Sequence, residues 1–304
     1  MKRAVLLGGG GFIGRYLGKE LWGRGYKVVV ADLENPHFEW ANWMRADARD
    51  LQSVVRVIEP KDLVVHLVHS SIPVESMGDP VAEIKENVVP YAALLDVLAD
   101  LSVSAVVYSS SGGQIYGNVE PSPIPENTAE RPVSAYGVAK LAMEQLTRLI
   151  TRRRGLPHLI FRIGNPYGPF QEKTNRHGVV PALVRTATQG GPFVSYGGGV
   201  TVRDYIYAAD AARAVVDVIT GTARSLTVNV GTGRGTSLSD LMAMVENVTG
   251  GKIEVKEEPL RPSDVRSNVL DITCLKTLTG FVPSVTLEEG LQLTWKHLKE
   301  NEKK

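Results

Sequence analysis

A chain of 304 residues, 43% hydrophobic and 22% charged, is long enough to bury a large core as one domain or two fused ones. Its net charge of +1 gives no reason to expect a nucleic acid or a membrane surface as partner. The one cysteine, Cys274, excludes an internal disulfide and a cysteine-rich metal site, and no metal is expected. The sequence shows neither a signal peptide nor a membrane span, so we expect a cytoplasmic location.

The first 32 residues contain two strand patterns separated by a glycine-rich turn. Residues 4–7 and 26–31 are apolar runs typical of buried parallel strands, and the second run ends at Asp32. The turn between them carries Gly8, Gly11 and Gly14. Such a turn lets the backbone and a helix N-terminus approach a pyrophosphate, while the acid binds a ribose and repels a 2′-phosphate. The pattern therefore predicts a dinucleotide site that favours NAD over NADP; the alternative is a simple turn beside a solvated aspartate.

The rest of the chain continues the alternation of strands and helices. Further strands are predicted near 43–46, 63–67, 105–109 and 158–163, and helices near 50–58, 80–99, 134–153, 178–188, 208–220, 237–249 and 286–299. This alternation predicts an α/β fold with a Rossmann-type, doubly wound parallel sheet. Beyond residue 165 the elements shorten and glycine and proline become frequent. We expect a dinucleotide-binding domain over 1–165 and a smaller region over 166–304, some elements of which could return to the first domain.

Tyr136 and Lys140 lie near the start of a predicted helix that opens with Ser134, a residue suited to capping. Residues four apart share one face of a helix, so the hydroxyl and the ammonium group can converge. A free tyrosine has a pKa near 10, and lowering it to about 7 requires about 4 kcal/mol, which an adjacent cation can supply. The pair is a weak signal alone because this spacing is frequent by chance.

Taken together, these motifs resemble the extended short-chain dehydrogenase/reductase family, in its NAD-dependent nucleotide-sugar epimerase and dehydratase branch. The resemblance covers nearly the whole chain and is nearest to UDP-glucose 4-epimerases and lipopolysaccharide-type sugar epimerases. The motifs are Gly8-x-x-Gly11-Phe12-Ile13-Gly14, Asp32, Asp47-Ala48-Arg49-Asp50, His66-Leu67, Asn87, Tyr108-Ser109-Ser110-Ser111, Tyr116-Gly117, Tyr136-x-x-x-Lys140, Arg162-x-x-Asn165-Pro166-Tyr167-Gly168-Pro169, Arg203-Asp204-Tyr205 and Arg261-Pro262-x-Asp264.

The resemblance implies NAD as cofactor, a UDP-linked nucleotide sugar as substrate and a substrate-binding role for the C-terminal region. It makes Tyr136 the acid/base, with Lys140 holding the nicotinamide ribose and lowering the tyrosine pKa, and with Ser111 binding the sugar hydroxyl. The implied cofactor-binding residues are Gly8, Gly11, Phe12, Ile13, Gly14, Asp32, Asp47, Ala48, Leu67, Val68, Asn87, Ser109, Tyr136 and Lys140. The implied substrate-binding residues are Ser111, Asn165, Val179, Arg203, Arg261 and Asp264.

The implied reaction is 4-epimerisation by transient oxidation, in which Tyr136 takes the C4 hydroxyl proton while hydride passes to NAD. A 4,6-dehydratase would need an Asp-Glu pair where this chain has Gly112-Gly113-Gln114. A 3,5-epimerase would use a cysteine near the sugar, whereas Cys274 lies outside the matching motifs. A reductase, a decarboxylase and a non-catalytic NAD sensor stay open as alternatives. Residues 171–200 are expected to set the specificity for sugar and base.

Two stretches depart from the family pattern. Val68-His69 replaces the usual pair of small residues after His66-Leu67, and we expect it to crowd the nicotinamide side. Ser111 stands 25 residues before Tyr136, the family spacing, but counting back from Tyr116-Gly117 points to Gly112 instead. Ser110 is a further candidate for the same role.

The helices near 80–99 and 134–153 carry apolar residues on more than one face. A helix that is apolar around most of its circumference usually buries a second face. We therefore expect a homodimer with a four-helix interface, which the resemblance also implies. The alternative is deep burial of both helices within one chain.

Overall fold

The computed structural model describes residues 2–120, 122–171, 178–222, 225–261 and 263–301. Its strands are β1 (Arg3–Leu7), β2 (Lys27–Asp32), β3 (Asn42–Arg45), β4 (Leu63–His66), β5 (Ala105–Ser111), β6 (His158–Ile163), β7 (Asn165–Tyr167), β8 (Pro192–Tyr196), β9 (Val202–Arg203), β10 (Tyr205–Tyr207), β11 (Leu226–Val230), β12 (Thr236–Ser237), β13 (Glu254–Glu258) and β14 (Ser267–Asn268).

The helices alternate with these strands along the chain. They are α1 (Phe12–Gly23), α2 (Leu51–Val55), α3 (Pro73–Ser76), α4 (Pro80–Glu83), α5 (Val89–Asp100), α6 (Ala135–Arg154), α7 (Val179–Gln189), α8 (Ala208–Gly221), α9 (Leu238–Thr249), α10 (Thr273–Thr279) and α11 (Leu287–Asn301). The π-helical turn Ile84–Val88 joins α4 to α5, so the helix predicted near 80–99 is interrupted. Among the described residues, none of the helices has the length and apolar character that a membrane span requires.

Seven strands form one sheet in the order β11-β6-β5-β4-β1-β2-β3, and neighbouring strands are parallel. Both faces of the sheet are covered by helices. Leu17 and Leu21 of α1 share one core with α8, and Leu94 of α5 and Met143 of α6 share the other. The central strands β1, β2 and β4 therefore consist mostly of buried apolar residues. The predicted Rossmann-type, doubly wound sheet is thus confirmed.

The sheet order reverses between β1 and β4, where the chain crosses from one half of the sheet to the other. Open α/β sheets bind their ligands outside the carboxyl ends of the strands at such a point. The glycine turn after β1 and the residues that follow β4 and β5 therefore lie around one crevice.

The C-terminal region has a core of its own, in which α7, α9 and α11 pack around Leu183, Leu241 and Leu291. Short two- and three-stranded sheets connect this region to the main sheet. However, β11 is the edge strand of the main sheet, and α8 packs against α1. Helix α8 and strand β11 therefore lie with the N-terminal sheet, and the boundary at 165/166 stays a prediction.

Candidate active site

A cleft of about 1070 Å³ runs along the carboxyl ends of the central strands. Every residue that the resemblance assigns to cofactor binding lines it: Gly8, Gly11, Phe12, Ile13, Gly14, Asp32, Asp47, Ala48, Leu67, Val68, Asn87, Ser109, Tyr136 and Lys140. Ser111, Asn165 and Val179 of the predicted substrate-binding residues also line it. These residues come from separate strands and helices, and the sheet brings them together.

The glycine turn after β1 forms a cradle for a phosphate group. Gly8 has a positive φ of 78°, and a Cβ on it would lie 2.8 Å from Val68 Cγ2. A Cβ on Gly14 would lie 2.6 Å from the Gly9 Cα, so helix α1 can approach the turn only without a side chain there. Gly11 is the N-cap of α1, and among the described residues no side chain caps it. The first N–H groups of α1 thus suit a pyrophosphate.

The acidic residues Asp32 and Asp47, which also line the cleft, suit a nucleoside. Asp32, at the end of β2, accepts hydrogen bonds from the backbone N–H groups of Gly10 at 2.9 Å and Leu33 at 2.8 Å. Asp47 is paired with Arg49, whose guanidinium lies 2.9 Å away and holds the pKa of that carboxyl below its usual range. A fixed carboxylate at the position of Asp32 fits a free ribose hydroxyl and opposes a 2′-phosphate.

Helix α6 positions the predicted acid/base. Ser134 caps the helix, its Oγ accepting from the Gly137 N–H at 3.1 Å. The Tyr136 backbone N–H donates to Ser76 Oγ at 3.0 Å, which ties α6 to α3. Ser111 lines the cleft beside the Tyr136 side chain, close enough to lower the pKa of the tyrosine hydroxyl. Lys140 Nζ donates to the Ser109 carbonyl at 2.9 Å and lies 5.6 Å from the centre of the Tyr136 ring.

Burial is the main reason that Tyr136 keeps its proton. Burial raises its pKa above 10 and the negative charge of Glu83 raises it further, while the neighbouring Ser111 hydroxyl lowers it. Burial also lowers the pKa of Lys140 to about 8, against the opposite influence of Glu83 and Glu144. The lowered tyrosine pKa expected from the sequence is therefore not produced by the protein groups alone. A further positive charge in the cleft would favour the phenolate.

The structure distinguishes the three candidates for the hydroxyl beside Tyr136. Ser111 contacts Tyr136, whereas the Oγ of Ser110 is buried and, among the described residues, has no hydrogen-bond partner. Gly112 is enclosed, because a Cβ there would lie 2.6 Å from Leu270 Cδ1. The geometry therefore favours Ser111, the residue at the family spacing.

Three of the predicted substrate-binding residues do not line the cleft. Arg261 forms a two-pronged ion pair with Asp264, at 2.9 and 3.0 Å, and stacks 4.0 Å from the centre of the Tyr196 ring. Arg203 donates to the Val202 carbonyl at 2.9 Å. Their roles towards a nucleotide stay predictions. Of the segment expected to set specificity, residues 172–177 lie outside the part of the chain that the structure describes.

Two residues beside Tyr136 were not predicted as a pair from the sequence. The edge of the His69 ring faces the Tyr136 ring, with 4.5 Å between ring centres. His69 Nε2 is hydrogen-bonded to Glu83, a carboxylate that is only 3% exposed. Val68 lies over Gly8, so the unusual Val68-His69 pair does occupy the cleft wall. The one signal in the sequence was the position of Glu83, four residues before Asn87 within the helix that the sequence predicted near 80–99. Across the described ranges, no cluster of His, Cys, Asp and Glu is arranged to hold a metal ion.

Known proteins share this fold and are similar to this chain in sequence. A sequence model of the NAD-dependent epimerase/dehydratase family matches residues 4–231. The UDP-glucose 4-epimerase of Mycolicibacterium smegmatis is 30% identical over 305 residues, spanning 96% of this chain and 97% of that protein. The structure of a Thermotoga maritima UDP-glucose 4-epimerase with UDP-glucose gives a TM-score of 0.91 at 31% identity over 99% of both chains. That of a Thermus thermophilus UDP-glucose 4-epimerase with NAD gives 0.90 at 30% identity, over 98% of this chain and 99% of that one. The chain therefore belongs to the NAD-dependent epimerase/dehydratase family of extended short-chain dehydrogenases/reductases, and it is an NAD-dependent enzyme.

Proposed function

We propose that the protein is a 4-epimerase of UDP-sugars, acting on UDP-glucose and UDP-galactose or a related pair. The observation that carries the proposal is the contact between Ser111 and Tyr136 at the end of the dinucleotide cleft. This arrangement supplies one oriented acid/base and its partner hydroxyl, which is what the oxidation and reduction of a single carbinol require. The UDP-glucose 4-epimerases that this chain resembles over nearly its whole length support the same substrate class.

In the proposed mechanism NAD, when bound, supplies the hydride acceptor and a positive charge. Ser111 orients the C4 hydroxyl of the sugar, and Tyr136 takes its proton. Lys140 lies on the same side of the cleft as Tyr136 and would add positive charge near the nicotinamide ribose. The nucleotide stays anchored through residues such as Asn165 while the 4-keto sugar turns over. Tyr136 then returns the proton to the C4 oxygen as hydride is returned to the opposite face of C4.

Elimination of water is disfavoured by the residues that follow Ser111. A dehydratase needs further acid/base groups near C5 and C6, and Gly112 and Gly113 have no side chains to provide them. At Gly112 the packing also excludes a side chain, because Leu270 Cδ1 and the Arg162 carbonyl lie 2.6 and 3.0 Å from a Cβ position. The chain therefore supports epimerisation rather than 4,6-dehydration.

A panel of UDP-, GDP- and dTDP-sugars tests the proposal. Incubation of the NAD-loaded protein with each sugar, followed by chromatographic separation, should yield a C4 epimer from a UDP-sugar without change of mass. Release of water would instead identify a dehydratase, and release of carbon dioxide would identify a decarboxylase. Net oxidation of NADH would identify a reductase. If the protein turns over none of the sugars, the alternative of a non-catalytic NAD sensor would be favoured.

The protein should purify with NAD rather than NADP. Asp32 is fixed by two backbone N–H groups, so it cannot turn away from a 2′-phosphate without losing both hydrogen bonds. A cofactor that is regenerated in each turnover also has no need to leave. Denaturing the purified protein and identifying the released dinucleotide checks this, and a predominance of NADP(H) would contradict it.

Replacing Ser111 by alanine should reduce turnover more than replacing Ser110 by alanine, with NAD retained in both variants. Ser111 contacts the Tyr136 side chain, whereas the Ser110 side chain is buried, with 5% of the residue exposed. Turnover of the two variants and the wild type on one UDP-sugar gives the comparison. The reverse ranking would transfer the role of orienting the sugar to Ser110.

The protein should form a homodimer through a four-helix interface. Helices α5 and α6 pack side by side and leave large apolar side chains in solvent, including Val89 at 57%, Val138 at 47% and Leu149 at 65% exposure. A second copy that covered these side chains would remove them from water. Light scattering at micromolar concentration measures the mass, and the mass of one chain would rule the dimer out.

A further inference from the structure

We propose that Glu83 and His69 form a positioning pair that places a buried negative charge beside Tyr136 and keeps its proton on the hydroxyl until a positive charge enters the cleft. This inference rests on the proposed role of Tyr136 as the acid/base. His69, one member of the pair, belongs to Val68-His69, where the sequence departs from the family pattern. Glu83 does not line the cleft itself, so it acts through its neighbours and not on a ligand.

The environment of Glu83 is built to hold a carboxylate. Its side chain is 2% exposed, and it accepts hydrogen bonds from His69 Nε2, Ser71 Oγ and Asn87 Nδ2. The π-helical turn begins at the next residue, and Asn87 Nδ2 also donates to the Glu83 carbonyl at 3.1 Å. These hydrogen bonds hold the pKa of Glu83 below its usual range despite its burial.

His69 links this carboxylate to the acid/base. Its side chain is 7% exposed, with Nε2 on Glu83 and its ring edge against Tyr136. Its other nitrogen, Nδ1, is buried and has no hydrogen-bond acceptor among the described residues. A proton on Nδ1 would therefore be unpaired, and the imidazole is neutral in this arrangement. The neutral ring cannot cancel the charge of Glu83, so the pair carries one net negative charge.

Burial and the nearby Lys140 lower the pKa of His69 below its usual range, in agreement with this charge state. A group with so little affinity for a proton is a poor general base at neutral pH. We therefore assign His69 to positioning and leave proton transfer to Tyr136.

The other titratable groups around Tyr136 come from several elements. Lys140 of α6 carries the positive charge, and it is itself influenced by Glu83 and by Glu144 one turn further along. Tyr108 of β5 and His66 of β4 are uncharged, because burial raises the pKa of the first and lowers that of the second to about 3. Glu83 is thus the anion that raises the proton affinity of Tyr136.

This charge gives Tyr136 a proton affinity that depends on what else lies in the cleft. A positive charge in the cleft offsets the charge of Glu83 and lowers the pKa of Tyr136. Tyr136 then loses its own proton, and its phenolate can take a proton from the sugar. Once that positive charge is neutralised, Glu83 again favours the protonated hydroxyl. Tyr136 then holds the proton until it is returned to the C4 oxygen, as hydride is returned to the opposite face of C4.

Replacing Glu83 by glutamine removes the charge and keeps atoms that can bond His69 and Ser71. In the NAD-loaded protein, Tyr136 ionisation is followed by near-ultraviolet tyrosinate absorbance, with each titration corrected by the same protein carrying Tyr136→Phe. We expect Glu83→Gln to lower the ionisation midpoint by about one pH unit or more. Glu75→Gln, which neutralises an exposed carboxylate on α3, is the matched control and should leave the midpoint unchanged.

An unchanged midpoint in Glu83→Gln, or an equal shift in Glu75→Gln, would overturn the inference. If Glu83→Gln does not fold, His69→Arg places a fixed positive charge against the same carboxylate and should lower the midpoint as well. The titration needs no sugar, so it is independent of the proposed activity. With a UDP-sugar, the acid limb of the kcat profile should move to lower pH by the same amount, with little change in KM.

Discussion

Replacing Tyr136 by phenylalanine is expected to reduce turnover by about 10²–10⁴-fold, the usual value of an acid/base group, while the fold and the bound NAD persist. The phenyl ring keeps the edge contact with His69 and the packing of α6. It loses the hydroxyl that lies beside Ser111 and that we propose to exchange the proton. The loss should therefore appear in kcat, with KM little changed, because the hydroxyl contributes to the reaction more than to binding.

The measurement compares steady-state turnover of Tyr136→Phe and wild type on the same UDP-sugar, with bound NAD quantified after denaturation. Tyr26→Phe is the matched control, because Tyr26 is buried, 7% exposed, and does not line the cleft. Tyr136→Phe activity within about threefold of wild type would exclude Tyr136 as the acid/base, since a proton-transfer group is worth far more than that.

Replacing Arg162 by methionine is expected to cost about 3 kcal/mol or more of the free energy of unfolding, as for a buried ion pair that loses one partner. Arg162 on β6 and Glu144 on α6 are both fully buried and are joined by hydrogen bonds of 2.8 and 3.1 Å. The same guanidinium donates to Tyr116 Oη at 2.9 Å and pairs with Glu130. The methionine would leave the Glu144 carboxylate buried, with Arg148 as its remaining ionic partner.

Urea unfolding followed by circular dichroism gives the free energy of unfolding for both proteins. Arg153→Met is the control, because Arg153 pairs with Asp96 at 3.2 Å while both side chains are about half exposed. Exposed pairs contribute about 0–1 kcal/mol, so this change should be small. A loss below about 1 kcal/mol for Arg162→Met would contradict the structural role assigned to the buried pair.

That the residues around the glycine turn line one cleft could be predicted from the sequence, because the signals there are local. Gly8, Gly11 and Gly14 precede α1 at a fixed spacing, and Asp32 ends the next strand, so one short unit contains the whole cradle. Tyr136 and Lys140 likewise share one helix face. The sheet then brings these units together because parallel strands end at one edge.

Features that depend on contacts between distant segments could not be predicted in this way. Glu83 and His69 meet because the loop after β4 folds back onto α4, and neither residue belongs to a recognisable motif. Strand β11 returns to the main sheet by pairing with β6, and no local sequence pattern indicates this pairing. The raised pKa of Tyr136 depends on burial and on Glu83, so the spacing to Lys140 alone predicted a shift in the opposite direction.

The fate of the hydrogen on C4 tests the account most directly. UDP-glucose labelled with deuterium at C4 is incubated with the NAD-loaded protein in ordinary water, and the product is examined by mass spectrometry and NMR. We expect UDP-galactose that keeps the deuterium at C4, because the same hydride leaves and returns while Tyr136 takes up and returns only the hydroxyl proton. Loss of the label to water, or a 4-keto-6-deoxy product, would contradict transient oxidation at C4 as the reaction of this cleft.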